Sequence, residues 1–215
     1  MSASDRDRGH RAGLALCLAL IITLAVPVSA FNATVEVLPG GDAYQGAVTL
    51  VNESEYSFWK PGHLGETLTL EVENVTVSGE CGTNCTYTWE NKNTVSFEQG
   101  NVTVGYEAEV KSRDLQVLMT EPSNITLTLP EDLMVSNPLL GWTSTGAEVK
   151  EEENGTTMVQ WENTRYAEVR FYDSGQEQLL YIFGSVWVAV AAVLLFPYLL
   201  LRRQRPPEIP PPEKP

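Results

Sequence analysis

The sequence predicts an all-β, antiparallel sandwich-like domain followed by one C-terminal transmembrane α-helix. Three observations carry this expectation. Apolar and polar residues alternate in stretch after stretch, Gly, Pro and Asn gather between those stretches, and one charge-free run, Leu179 to Leu201, stands near the end of the 215-residue chain. Alternation marks strands with one buried face. A single flat sheet of so many strands would leave its apolar face in water, so two packed sheets are expected.

The chain opens with polar residues 1–11, continues through an apolar run over 12–26, and reaches the small-residue sequence Pro27-Val28-Ser29-Ala30. This three-part form is that of a secretory signal peptide, residues 1–30, cleaved after Ala30. The apolar run is short for a membrane span, and Pro27 would break a helix at its end. Cys17 lies within this segment, preceded by Leu16 where a lipoprotein signal needs a small residue, so no lipid attachment is expected there.

Residues 31–177 then form an extracytoplasmic β-rich domain. Alternation places on inward faces Val35 and Val37; Val48 and Leu50; Leu68, Leu70 and Val72; Val102, Val104 and Tyr106; Ile125, Leu127 and Leu129; Val159 and Trp161; and Ala167, Val169 and Phe171. Breaks are read at Pro39-Gly40-Gly41, Pro61-Gly62, Gly79 to Gly82, Gly100, Pro122, Pro130, Asn137-Pro138 and Gly146. Ala147 to Glu151 and Thr156 to Trp161 flank Glu153-Asn154-Gly155, and Asn-Gly is the strongest short hairpin signal. Asn163-Thr164 reads as a further turn, with Tyr166 to Tyr172 as a third strand close to the membrane. Trp59, Trp89, Trp142 and Trp161 are read as core filling rather than as a platform for stacking on sugars.

Residues 178–201 are the transmembrane helix. Leu179 to Leu201 would extend about 34 Å as a helix, enough to cross a hydrocarbon core of about 30 Å with some tilt. Arg202, Arg203 and Arg205 follow at once and predict a cytoplasmic C-terminus, hence a single-pass type I protein in the cell membrane. Tyr181 and Tyr198 sit near the two ends of the span, Pro197 in its last turns, and Ser185 and Ala189 give a weak helix-pairing signal. The Pro-rich tail, residues 202–215, is expected to be extended or polyproline II.

Charge narrows the partners. Residues 31–177 contain 24 Asp and Glu against 7 Lys and Arg, a balance of 24 − 7 = 17 negative charges. Such a surface repels nucleic acid and anionic lipid heads, so no nucleic-acid partner is expected. Glu151-Glu152-Glu153 lacks the spaced Asp, Asn and Gly loop of a calcium site, and no metal or cofactor is predicted.

Two motifs carry chemistry. Seven Asn-x-Ser/Thr sequons occur, at Asn32, Asn52, Asn74, Asn84, Asn101, Asn124 and Asn154. The domain composition, 11 Asn with about 18 % Ser and Thr, would give roughly two by chance, so N-glycosylation is expected in an exported protein. Asn101 and Asn124 have outward parity. Asn74 shares the parity of Leu68, Leu70 and Val72, so it faces outward only if a bulge near Glu73 hands the inward face to Val75 and Val77. Cys81 and Cys85 form an even pair in an exported domain and predict a disulfide. His63 reads as a surface loop residue, and no Ser-His-Asp set, phosphate loop or zinc helix is visible, so no catalytic residue is assigned. With 24 carboxylates in the domain, an acidic pair for glycoside hydrolysis is no signal.

From Asn124 onward, Leu127-Thr128-Leu129-Pro130-Glu131, Asn137-Pro138-Leu139-Leu140-Gly141, Val159-Gln160-Trp161-Glu162 and Val169-Arg170-Phe171-Tyr172 lead into the membrane helix. This run resembles a family of uncharacterised archaeal membrane-anchored surface proteins. The resemblance implies an archaeal cell-surface location and a β-rich ectodomain, without a catalytic residue. The expected function is that of a non-enzymatic, membrane-anchored cell-surface glycoprotein of the envelope, with the lipid bilayer and a surface-layer or membrane-protein partner as its contacts. The second reading is a ligand- or ion-binding accessory module of a transporter or receptor complex.

Overall fold

The computed structural model describes residues 31–62 and 64–203. The expected signal peptide with Cys17, the loop residue His63 and the tail from residue 204 lie outside the described residues. Among the described residues, thirteen strands precede one helix: β1 (Phe31–Val37), β2 (Ala43–Ser57), β3 (Trp59–Pro61), β4 (Thr67–Thr69), β5 (Glu73–Gly79), β6 (Tyr87–Trp89), β7 (Thr94–Glu109), β8 (Asp114–Leu129), β9 (Leu133–Met134), β10 (Trp142–Thr143), β11 (Glu148–Glu151), β12 (Thr157–Arg170), β13 (Tyr172–Asp173) and α1 (Ser174–Arg203).

Where two separate sheets are expected, the structure has one nine-stranded sheet. Its order is β10-β12-β8-β1-β2-β7-β5, with β11 added to β12 and β6 to β7; β13-β9 and β3-β4 form small ribbons beside it. The apolar face is covered because the sheet folds over on itself. Straight, the sixteen residues of β8 would span about 50 Å. Yet the backbone N–H of Phe171 donates to Arg113 O just before β8, while a Cβ on Gly41 would meet the Phe171 ring at 2.7 Å and Leu133, beyond the end of β8, at 3.2 Å. Both ends of β8 therefore come to one place. Register shifts mark the bends: β12 slips against β8 between Trp161 and Tyr166, and β2 against β7 between Leu50 and Glu55. Strands that change layer at bulges make the corners of such sandwiches. Gly100 and Pro122, read from sequence as breaks, lie inside continuous strands at these corners.

Pairing also departs from the antiparallel expectation at one place. β1 runs parallel to β8, with Asn32 opposite Asn124 and Val35 opposite Leu127. Parity is the same for either direction, so alternation cannot distinguish the two.

The inward residues read from periodicity form one core. Val35, Val48, Val104, Ile125, Leu127, Leu129, Val159, Trp161, Val169 and Phe171 are all buried within a single cluster. Gly46 leaves room for Tyr106, since a Cβ there would lie 2.4 Å from the ring. Tyr106 stands edge-on to Tyr44 and to Phe58, at 6.1 and 5.2 Å between ring centroids. Burial pushes the Tyr106 phenol up to about 12 and raises those of Tyr44 and Tyr56.

Three local expectations are corrected, and a fourth holds. Leu68, Leu70 and Val72 do not form an inward strand: only Thr67–Thr69 is extended, pairing with β3, and Leu68 is exposed. Its partner is a three-residue ribbon, too short to bring the stretch into the main sheet. Asn163-Thr164 is not a turn but a bulge within the fourteen-residue β12, whose two halves both pair with β8. Of the tryptophans read as core, Trp161 is buried, but Trp89 and Trp142 are about half exposed because they sit on short edge strands. The expected 153–155 hairpin forms, with a three-residue loop in which Gly155 alone adopts positive φ, +85°.

Helix α1 starts at Ser174, within what composition assigned to the domain. It is long and apolar enough to cross a membrane and continues through Pro197. Asp173 caps it: Oδ1 accepts the Gln176 N–H at 2.8 Å. Arg113 lies 2.5 Å from Asp173 Oδ2 and donates to Gln176 Oε1 at 2.8 Å, tying the β7–β8 connection to the first helical turn. The β1–β2 hairpin, this connection and residues 130–133 thus form the near end of the domain, beside α1. Asn32, five strand residues from Val37, lies about 17 Å further away.

Candidate functional site

A sequon places its Asn and its Ser or Thr two positions apart, which is also the side-chain period of a strand. In a strand, both members of the motif therefore share one face. Five of the seven sequons lie in strands: Asn32 in β1, Asn52 in β2, Asn74 in β5, Asn101 in β7 and Asn124 in β8. Asn84 and Asn154 lie in loops. All seven asparagines are exposed.

The fold gathers most of them at the far end. Asn32 and Asn124 are in-register neighbours on parallel strands. Asn101 Oδ1 accepts the backbone N–H of Asn52 at 3.1 Å, and its Nδ2 donates to Glu80 Oε1 at 2.8 Å. Gln99 Nε2 donates to Asn52 Oδ1 at 3.2 Å. Asn84 enters the group through the Cys81–Cys85 disulfide, whose Cα atoms are 5.4 Å apart and whose loop is anchored by Cys85 N to Val77 O at 2.8 Å and Glu80 N to Asn101 O at 3.2 Å. Five sequons, at Asn32, Asn52, Asn84, Asn101 and Asn124, thus rim the end away from α1. Asn154 is on the opposite side of the domain, where Gly155 approaches Glu131. There Asn154 Oδ1 accepts both the N–H and the hydroxyl of Thr156, at 3.0 and 2.7 Å.

Asn101 and Asn124 serve the fold directly, by capping two bulges. Asn52 and Asn163 adopt left-handed φ of +59° and +49° at the two corner bulges, a conformation Asn tolerates better than most residues. Each backbone N–H left over by its bulge is taken up by an Asn on the facing strand: Asn52 N–H by Asn101 Oδ1, and Asn163 N–H by Asn124 Oδ1, both at 3.1 Å. The two corners use the same device. Asn74 is the third such residue, φ +51°, and the bulge expected near Glu73 is present, with the register slipping between Glu73 and Thr76. Val75 is partly buried and Val77 fully so, which leaves Asn74 outward.

Beside this rim, the outer face of β8, β1, β2, β7 and β5 holds an open trough of about 500 Å³. Thr34, Thr76, Thr126 and Thr128 line it with Glu36, Gln45, Asn74 and Glu107. Gly105 opens the floor, since a Cβ there would fall 2.6 Å from Thr76 Oγ1. Glu107 accepts from Gln45 Nε2 at 2.8 Å and from Asn74 Nδ2 at 2.5 Å, so both carboxylate oxygens are engaged by amides. Parity puts Thr34, Glu36, Gln45, Glu107, Thr126 and Thr128 opposite the inward residues, and Asn74 and Thr76 outward only through the bulge, but it does not show them as neighbours, because they come from five strands. On the other layer, burial, with the carboxylate of Glu168 beside it, raises the Tyr166 phenol, which donates to Glu168 Oε2. Among the described residues no group of three His, Cys, Asp or Glu is placed to hold a metal ion. Glu152, from the acidic run, accepts the Thr156 hydroxyl at 3.2 Å.

Residues 29–205 match a family of unknown function, DUF5803. No curated protein matches the chain. Among solved structures, the chain is similar to an aminopeptidase N family protein from Idiomarina loihiensis at 13 % sequence identity and a TM-score of 0.40, over 65 % of this chain and 29 % of that one. The chain spans under a third of that protein's length.

Proposed function

The chain belongs to the DUF5803 family, and we propose that it is a non-enzymatic glycoprotein of a cell envelope, anchored by α1 with its β-domain outside. The observation that carries this reading is the placement of the sequons: all seven asparagines are exposed, and five rim the end of the domain away from the anchor. A glycan there projects away from the bilayer and shields the exposed end, while the strongly acidic surface keeps the domain soluble. The signal-peptide pattern of residues 1–30 and the Arg residues after Leu201 support the orientation. An archaeal surface is the setting that the family resemblance implies, with a surface-layer or membrane protein as the neighbour. The test is intact mass of the protein from its native membranes before and after chemical deglycosylation. Loss of mass at several of the seven asparagines is expected; an unmodified protein overturns the reading.

The trough supports the second reading, a ligand-binding accessory module. Its hydroxyl, amide and carboxylate lining suits a small polar ligand. Screening polar metabolites by thermal shift tests it. A stabilising compound whose effect is lost in Gly105→Leu, which fills the floor, supports this module; the absence of any such compound removes it.

A further inference from the structure

Asn32 and Asn124 are the two sequon asparagines that the fold sets directly side by side. β1 and β8 run parallel and in register, so Asn32 faces Asn124 and the sequon threonines Thr34 and Thr126 face each other one step along. The strands are about 4.8 Å apart. Both asparagines are exposed on the same outer face. Asn124 has its amide oriented: Oδ1 accepts the Asn163 N–H of β12 at 3.1 Å, on the side of β8 opposite β1. Because the amide is planar, holding Oδ1 toward β12 turns Nδ2 away from β12, toward the side where Asn32 stands.

We propose that Asn32 and Asn124 form one acceptor unit that carries a single glycan, a sugar on either asparagine excluding a sugar on the other. This rests on the glycoprotein reading above and adds a stoichiometry to it. Transfer forms a bond from an Asn Nδ2 to the anomeric carbon of a sugar phosphate donor; Nδ2 loses one proton and the phosphate leaves with the bonding pair. The product keeps Oδ1, so a glycosylated Asn124 still accepts from Asn163. The new sugar then occupies the space over β1 and β8 that a second transfer would need. A strand spacing is narrower than a hexose ring with its hydroxyls, so sugars linked to two in-register asparagines would overlap at their roots.

The test uses the full-length chain in an N-glycosylating host, with the other five sequons silenced by Ser54→Ala, Thr76→Ala, Thr86→Ala, Thr103→Ala and Thr156→Ala. Intact mass then counts glycans at this pair alone. One glycan per chain is expected, divided between the two positions in glycopeptide analysis. Adding Thr126→Ala, which spares the Asn124 to Asn163 bond, is expected to raise Asn32 occupancy to nearly one per chain, and Thr34→Ala to do the same for Asn124. Chains carrying two glycans overturn the proposal, as does occupancy at one position that does not respond to loss of the other, or a pair left bare while other sequons of the native chain are modified. If the five changes prevent folding, the single variants Thr126→Ala and Thr34→Ala in the otherwise native chain give the same reciprocal readout. Absence of glycan at all seven asparagines overturns the glycoprotein reading itself, whereas double occupancy leaves that reading intact and removes only the exclusion.

Discussion

The backbone N–H of Asn52, in a left-handed conformation at one corner of the folded sheet, is satisfied by Oδ1 of Asn101 on the facing strand at 3.1 Å. A backbone N–H at a bulge has no ladder partner, and leaving a donor unpaired costs about 1–3 kcal/mol where water cannot reach it. This corner is exposed, so the lower part of that range applies. Asn101→Ala is predicted to lower stability by about 1 kcal/mol even in unglycosylated protein. Asn101→Asp keeps the acceptor but replaces the amide that donates to Glu80 with a second carboxylate, so it too is predicted to destabilise, while Thr103→Ala removes the sequon and leaves the bond to Asn52. Chemical unfolding of the three variants from a host that adds no glycan isolates the structural role of Asn101 from the glycan-acceptor role proposed for its sequon.

Gly79 closes β5 against the same corner. Its φ is +156°, and a Cβ would stand 2.3 Å from Asn101 O, a backbone atom that cannot step aside. Gly79→Ala is predicted to cost about 1–3 kcal/mol through strain and displacement of the β5–β7 pairing. Thermal unfolding with near-ultraviolet circular dichroism checks this. Gly82→Ala is the control for crowding, since no atom lies within 4 Å of its added Cβ although its φ of +109° carries its own backbone strain.

Asp173 joins domain and helix. Its carboxyl is held below the ordinary value of 3.8, first by the Gln176 N–H and then by Arg113. A depressed carboxyl contributes stability that is present above the unfolded value and is lost as pH falls through the folded one. Acidification below 3.8 is therefore predicted to loosen the first turn of α1. Hydrogen exchange at Gly175 to Glu177, referenced to an unstructured peptide at each pH, is expected to lose protection over that window in the native protein. Asp173→Asn is expected to show little such pH dependence, and Arg113→Ala a weaker one.

The buried phenols set the alkaline limit. Tyr106 is raised to about 12, and Tyr44 and Tyr56 are also raised, each chiefly by burial. For an acid whose folded value is raised, stability is full below the unfolded value near 10 and falls as pH rises toward the folded value. Unfolding is predicted to set in between pH 10 and 12. Absorbance at about 295 nm, the phenolate band, is expected to rise together with unfolding, as these three phenols reach water and ionise. Tyr106→Phe is expected to remove one phenolate from that rise.

Several features needed only the neighbours of each residue along the chain. The inward parity of Val35, Val104, Leu127 and Val169, the outward sequons, the bulge before Val75 and the apolar helix are legible because the strand period and helix length are local properties. The stretch around Leu68 shows the limit of that reasoning: it has the alternation of a buried strand, yet it pairs only with a three-residue ribbon, Leu68 is exposed, and Leu70 and Val72 are only partly buried against the core. The same limit applies to residues 111–114. Ser112 and Arg113 both adopt φ near +57° in the turn that sends the chain from β7 to β8, and neither residue signals it.

The sequence alone determined that this chain alternates into strands, carries seven Asn-x-Ser/Thr sequons and a cysteine pair, and runs into an apolar helix. Tertiary structure alone decided that β1 lies parallel to β8, that one sheet folds at paired bulges into two layers, and that five sequons meet at one end. The reason is distance along the chain. Asn32 and Asn124 are 92 positions apart, and their adjacency depends on the pairing of whole strands, which alternation within either strand leaves open.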